Sequence, residues 1–232
     1  MSRSEPEVES RSPVVRWFQW EALTGAFSYW DKEAKQRVQV DAPFTFLLLD
    51  QLATVTGYSE DLEAGMYSNE VRMSELRKIP MVVKTNKTNR LIADGIWSDI
   101  KERVKALGGN FAYSLYVLID VDGKKVIGNV CLKGAALAAF MDFSRTIKIY
   151  EGAVSWRGET EEGTKGSVTY QCPVFTQNSI TEETGDMATV LDREVLQPYL
   201  KQRVSGTDPR DEDDPPIPVG ADNAHGEEDI PF

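Results

Sequence analysis

From residue 14 to about 175 the chain is built of short segments that either alternate apolar and polar residues or run apolar without interruption. Turn residues punctuate them, a pattern that predicts a mainly β domain. VVRWFQW (14–20) and FSYW (27–30) predict two strands joined through a turn at Thr24-Gly25. Val38 to Asp50 is a long apolar run with Pro43 near its start, expected to continue to a turn at Gly57. Residues 67–73 and 80–85 also read as extended. Phe111–Val121 and Lys124–Leu132 flank the dipeptide Asp122-Gly123, the signature of a tight hairpin. A second hairpin is expected from 148–157 and 165–175 across a polar Glu/Gly loop.

Helical spacing falls between these runs. Ile96, Ile100, Val104 and Leu107 share one helical face, and Gly108-Gly109 stops the segment. Residues 134–143 suit a short buried helix, and 187–204 a C-terminal one that Pro198 is expected to break or kink. Strands at hairpin spacing with a helix between strand pairs predict an OB-type barrel with additions, mainly β with inserted helices.

The flanks differ. Residues 1–13 are mostly Ser, Glu and Arg, and the segment after 204 combines proline, glycine and acid, so neither is expected to bury enough to fold. The expected organisation is a disordered start (1–13), a domain at 14–203 and a disordered acidic tail at 204–232. The net charge of −11 is uneven: the segment 208–232 carries −8, whereas 72–148 carries +7. A basic middle beside an acidic tail points to nucleic acid plus a separate interaction segment. No apolar run of about 18 residues exists and no secretory leader is apparent, so a cytoplasmic protein is expected. Cys131 and Cys172 are then expected to be reduced core thiols.

The only histidine is His225, in the tail, so the domain has no histidine base, triad or metal ligand. There is no GxxxxGK[ST] or GxGxxG loop, and no cofactor is expected. A carboxylate–metal nuclease needs no histidine. Asp122-Gly123-Lys124 has the acid-x-Lys spacing, with Asp94 or Asp99 as a conceivable partner, but Asp-Gly between two β-runs is already explained as a turn. An acidic protein that mimics DNA is a further alternative. What the domain does contain is aromatic residues among cations, as single-strand binding requires: cations follow phosphates and rings stack on unpaired bases. The candidates are Tyr29, Trp30, Lys32, Tyr67, Arg72, Arg77, Lys84, Trp97, Tyr113, Tyr116, Lys133, Trp156 and Arg157, with Trp17, Trp20 and Phe44 assigned to the core.

The segment EEDIPF (227–232) resembles the C-terminal tip of bacterial single-stranded DNA-binding proteins, an acidic run closed by Ile-Pro-Phe. That resemblance implies that Asp229, Ile230, Pro231 and Phe232 form a docking peptide for replication, recombination and repair proteins. Phe232 would supply a ring and a carboxylate at one point. The domain is similar to single-stranded DNA-binding proteins of tailed bacteriophages in FSYWDK (27–32), FTFLLLDQLATVTGY (44–58), YSNEVR (67–72) and GTKGSVTYQCPVF (163–175). This resemblance implies an OB-fold with phage-specific additions and a non-catalytic role in coating single-stranded DNA inside a bacterial host cell, and it leaves open a homo-oligomer or assembly along DNA. No membrane partner is expected. The acidic tail is expected to compete with DNA for the basic surface.

Overall fold

Alternation decides which side of each strand faces the interior, and one irregularity redirects it. In the computed structural model, which describes residues 12–205, the N-terminal strands are β1 (Val14–Glu21), β2 (Ala26–Asp31) and β3 (Gln36–Gln39). A long strand β4 (Phe44–Ser59) follows, then β5 (Ala64–Ser68), β6 (Val71–Arg72), a 3₁₀ turn, β7 (Met81–Thr85) and β8 (Leu91–Gly95). Helix α1 (Trp97–Ala106) leads to the hairpin β9 (Gly109–Val121) and β10 (Lys124–Lys133), then to α2 (Gly134–Arg145). A second hairpin, β11 (Ala153–Lys165) and β12 (Val168–Asn178), precedes α3 (Glu182–Leu191) and α4 (Gln197–Ser205).

The result is a mainly β domain with a large mixed sheet in the order β3-β2-β1-β10-β9-β4-β5-β7-β8. β1 and β10 run parallel; β11 pairs with the start of β4 and with β12. The expected barrel does not close as a ladder. β12 meets β1 only at its end, where Gln171 N–H donates to Ala22 O (2.8 Å) and Trp20 Nε1–H to Gln171 O (2.8 Å). Among the described residues no helix is long and apolar enough to cross a membrane.

The inner face carries the main core. Phe18, Trp20, Phe27, Phe44, Trp156 and Phe175 pack edge-to-face or tilted, with centroid separations such as 5.5 Å for Trp20–Trp156, and α1 and α2 pack against their neighbours. A smaller cluster on the opposite face joins Leu47, Leu52, Leu118 and Ile127 to Leu196 and Leu200 of the C-terminal helices.

Several boundaries differ from expectation for physical reasons. The apolar run 38–50 is divided, because β3 ends at Gln39 and β4 begins after Pro43, which has no N–H for a ladder. Gly57 makes no turn: it lies within β4 opposite Gly109, and a Cβ there would sit 2.3 Å from the Gly108 carbonyl oxygen. The polar residues 158–164, expected as a loop, belong to β11. The C-terminal helix starts five residues early and passes through Pro198. A π-helical turn at Asp192–Leu196, with Gln197 N–H donating to Asp192 O, places the proline in the first turn of α4, where no N–H is needed. No disulfide joins Cys131 and Cys172, and both are half-buried rather than core residues.

Candidate nucleic-acid interface

The outer face of the sheet follows from register. Phe18 pairs with Tyr29 on the inner side of β1 and β2, so Trp17 and Trp30 project from the outer side of the same two strands. Trp30 pairs with Arg37 on β3, and Trp17 with Asn129 on β10. The next row crosses six strands: Gln39, Ser28, Gln19, Cys131, Ser114 and Leu52 are successive partners. The two half-buried indoles lie beside a mostly neutral row in which Gln19, Gln39 and Cys131 are accessible, while Ser28 and Ser114 are only 2% exposed and Leu52 4%. Such a surface gives flat faces to stack on without fixed charges that would select a particular base.

Charge is concentrated at the margins. Glu21 accepts hydrogen bonds from Gln19 Nε2 (2.6 Å) and Ser28 Oγ (2.7 Å) and pairs with Arg37, so the arginine beside Trp30 is held by a carboxylate. Arg16 lies 4.5 Å from the ring centroid of Tyr29, a cation–π contact. Lys133 closes β10 in the same outward register and is half-buried. Asn129 Nδ2 donates to Ser114 Oγ (2.7 Å), while its fully buried Oδ1 has no partner among the described residues.

The other end of this face is covered. A bulge between Leu48 and Asp50 adds one residue to β4, which puts Asp50 opposite Tyr116 on the outer side; strict alternation from Phe46 and Leu48 would have sent it into the core. Asp50 pairs with Arg72 (2.8 Å) and accepts from Gln197 Nε2 (2.9 Å). Tyr116 O–H donates to Glu70 (2.7 Å), and Arg203 donates to both the carboxylate (3.2 Å) and the phenol oxygen (3.1 Å). Burial, reinforced by the negative charge of Glu70, raises the Tyr116 pKa well above its usual value. These contacts fasten α4 to the sheet.

A groove of about 500 Å³ lies between α4 and β6–β7. Leu52, Ile79, Val82 and Leu200 give it an apolar lining; Arg72, Lys84, Lys201 and Arg203 supply positive charge, and Glu70 and Glu75 also border it.

The sequence candidates divide on this frame. Tyr67, Trp97, Tyr113, Tyr116 and Trp156 are interior residues, each at most 8% exposed, so as folded they offer no ring face to a base. Trp97 packs on Phe111 and Trp156 on Trp20 and Phe27, while the Tyr67 phenol donates to Asn89 (2.5 Å). Trp30 is half-buried at the open end, Tyr29 is half-buried on the inner side against the main core, and Lys32 is exposed in the β2–β3 turn. Arg72 and Lys84 border the groove, and Arg77 is exposed in the same connection. Arg157 is exposed on β11, far along the sheet order from Trp30, and donates to Asn178 (3.0 Å).

Trp17 and Arg37 were missed. Strict alternation from the buried pair Phe18 and Trp20 would have placed Trp17 outward. The tip residues Asp229, Ile230, Pro231 and Phe232 lie outside the described residues, as does most of the expected tail. Asp122 occupies the β9–β10 turn with φ of 53°; Asp94 and Asp99 are exposed, on β8 and α1. No family model, no curated protein and no solved structure matches the chain.

Proposed function

We propose that this protein binds single-stranded DNA without strong sequence preference, using the open end of the outer face. The observation that carries the reading is the placement of Trp17 and Trp30 on the outward side of paired strands, with Arg37 opposite Trp30. Stacking of bases on the two rings is worth about 1–3 kcal/mol each. Arg37, Lys133 and Lys32 follow the phosphates, and Arg37 exchanges Glu21 for a phosphate when a strand arrives.

The strand arrangement supports the same reading. β4 pairs with β9 and with β11, β9 pairs with β10, α2 lies between β10 and β11, and β11 pairs with β12. This order is compatible with an OB-type arrangement in which β1, rather than β12, lies beside β10 and leaves the barrel open; in OB-folds the face of the second and third strands is the customary oligonucleotide surface. In this reading that face is β9–β10 extended by β1–β3. The DNA-coating role in replication, recombination and repair, and the recruitment of partner proteins by the segment 229–232, belong to the same proposal and rest on the sequence resemblance.

Fluorescence anisotropy with labelled oligonucleotides tests it. Single strands of mixed sequence should bind tightly, duplexes weakly, and affinity should fall steeply with salt. Loss of affinity on substituting both Trp17 and Trp30 by Ala, with the melting temperature kept, is the expected result. Unchanged affinity would move the site elsewhere, and magnesium-dependent cleavage of the oligonucleotide would replace the reading with a nuclease.

A further inference from the structure

The segment beyond α4 contains one pattern twice. Residues 211–219, DEDDPPIPV, pass from consecutive acids through Ile-Pro to an apolar residue, and residues 227–232, EEDIPF, do the same. The proximal copy is separated from Ser205 by only the five residues 206–210, whereas 21 residues precede the distal one. Five residues span at most roughly 18 Å when extended. α4 itself supplies Leu200, Lys201 and Arg203 to the groove beside β6–β7, so the helix that precedes the proximal copy in sequence borders this groove.

We propose that Asp211–Val219 docks in cis into that groove, with its acids on Lys84 and Lys201 and Ile217-Pro218-Val219 on Leu52, Ile79, Val82 and Leu200. Charge and shape agree. Four consecutive acids (211–214) meet a lining in which Glu70 is already bound by Tyr116 and Arg203, leaving Glu75 as the acid to be overcome. Arg77 and Lys78, exposed in the same connection, add positive charge. Consecutive prolines such as Pro215-Pro216 favour extended conformations, which lowers the entropy cost of docking. Tether length separates the two copies. Effective concentration falls roughly as the −3/2 power of linker length, which favours the proximal copy over the distal one by about an order of magnitude. The groove is thus a receptor for the proximal copy and leaves the distal copy for other molecules. None of this depends on DNA binding.

Lysine acetylation of the full-length chain, read by mass spectrometry without DNA, tests the proposal. In the variant Ile217→Asp/Val219→Asp, Lys84 and Lys201 should become at least threefold more reactive, while Lys124 in the distant β9–β10 turn is unchanged. The variant Ile230→Asp/Phe232→Asp should leave all three as in the parent. A Lys84→Glu chain should show shifted amide resonances for residues 213–219, and every effect should persist across a tenfold dilution. Equal lysine reactivity in the parent and the proximal variant overturns the proposal. Unmasking by the distal variant assigns the groove to the other copy, and protection lost on dilution assigns it to a second molecule; either result also overturns it.

Discussion

The two ends of the outer face use the same strands for opposite purposes. At one end Leu47, Leu118 and Ile127 are apolar and are sealed by Leu196 and Leu200, with Tyr116, Glu70 and Arg203 fastening the cover. At the other end Gln19, Ser28, Cys131 and Ser114 replace the aliphatic residues, and Trp17 and Trp30 are left half-buried. The change occurs within one strand, β10, between Ile127 and Asn129. Covering a surface takes aliphatic side chains in register with an apolar helix face; at the other end the two indoles stay half-buried, although Ser28, Ser114 and Asn129 beside them are at most 2% exposed.

The comparison breaks first through stability. Leu196 is fully buried under the cover, so Leu196→Ala should cost about 2–5 kcal/mol, read as a lower denaturant midpoint. Trp17→Ala and Trp30→Ala should behave oppositely. Each should lose about 1–3 kcal/mol of single-strand affinity, roughly 5- to 150-fold in Kd, with far smaller losses of stability. A large stability loss at the open end, with affinity intact, would erase the distinction.

Tyr116 sharpens the closed end through pH. Its pKa is raised mainly by burial and further by Glu70, so the folded chain keeps a proton that the unfolded chain loses near pH 10. The associated stability is therefore complete below pH 10 and falls as pH rises toward and through the folded pKa. Tyr116→Phe should cost about 1–2 kcal/mol at neutral pH, because Glu70 keeps only Arg203, and should flatten that alkaline decline in thermal melts.

Much of the strand pattern was legible because it depends on local alternation: the Asp122-Gly123 hairpin and both N-terminal strands fall where expected. Three features were not. The bulge that turns Asp50 outward is a mismatch between two strands, and nothing within β4 announces it. Composition likewise marked Trp97, Tyr113 and Trp156 as candidates because rings near cations look alike in sequence whether a helix, a strand or solvent covers them. β8 escaped notice for a related reason: five residues, LIADG, carry too little periodicity, and pairing with β7 is what holds them extended. Alternation within one strand sets Trp17 opposite in direction to Phe18, yet Trp17 was expected in the core; where partners from distant segments decide, the sequence carries no such signal.

The smallest expected effect lies at the open end and concerns Glu21. This carboxylate accepts from Gln19 and Ser28 and pairs with Arg37, on the surface proposed for DNA. Under the proposed function a strand would have to displace it, so Glu21 would oppose binding twice, by holding Arg37 and by repelling phosphate. Glu21→Gln keeps the side-chain shape and its contacts with Gln19 and Ser28 while removing the charge. Affinity for single strands should rise about two- to fivefold at low salt, and the advantage should shrink as screening increases. The stability change should be under about 1 kcal/mol, since both partners of the ion pair are partly exposed and screened by solvent. Equal affinity of the parent and Glu21→Gln proteins at low salt would place the phosphates away from Arg37. The path of the strand would then run over Lys133 and the β9–β10 face, leaving Trp30 outside it.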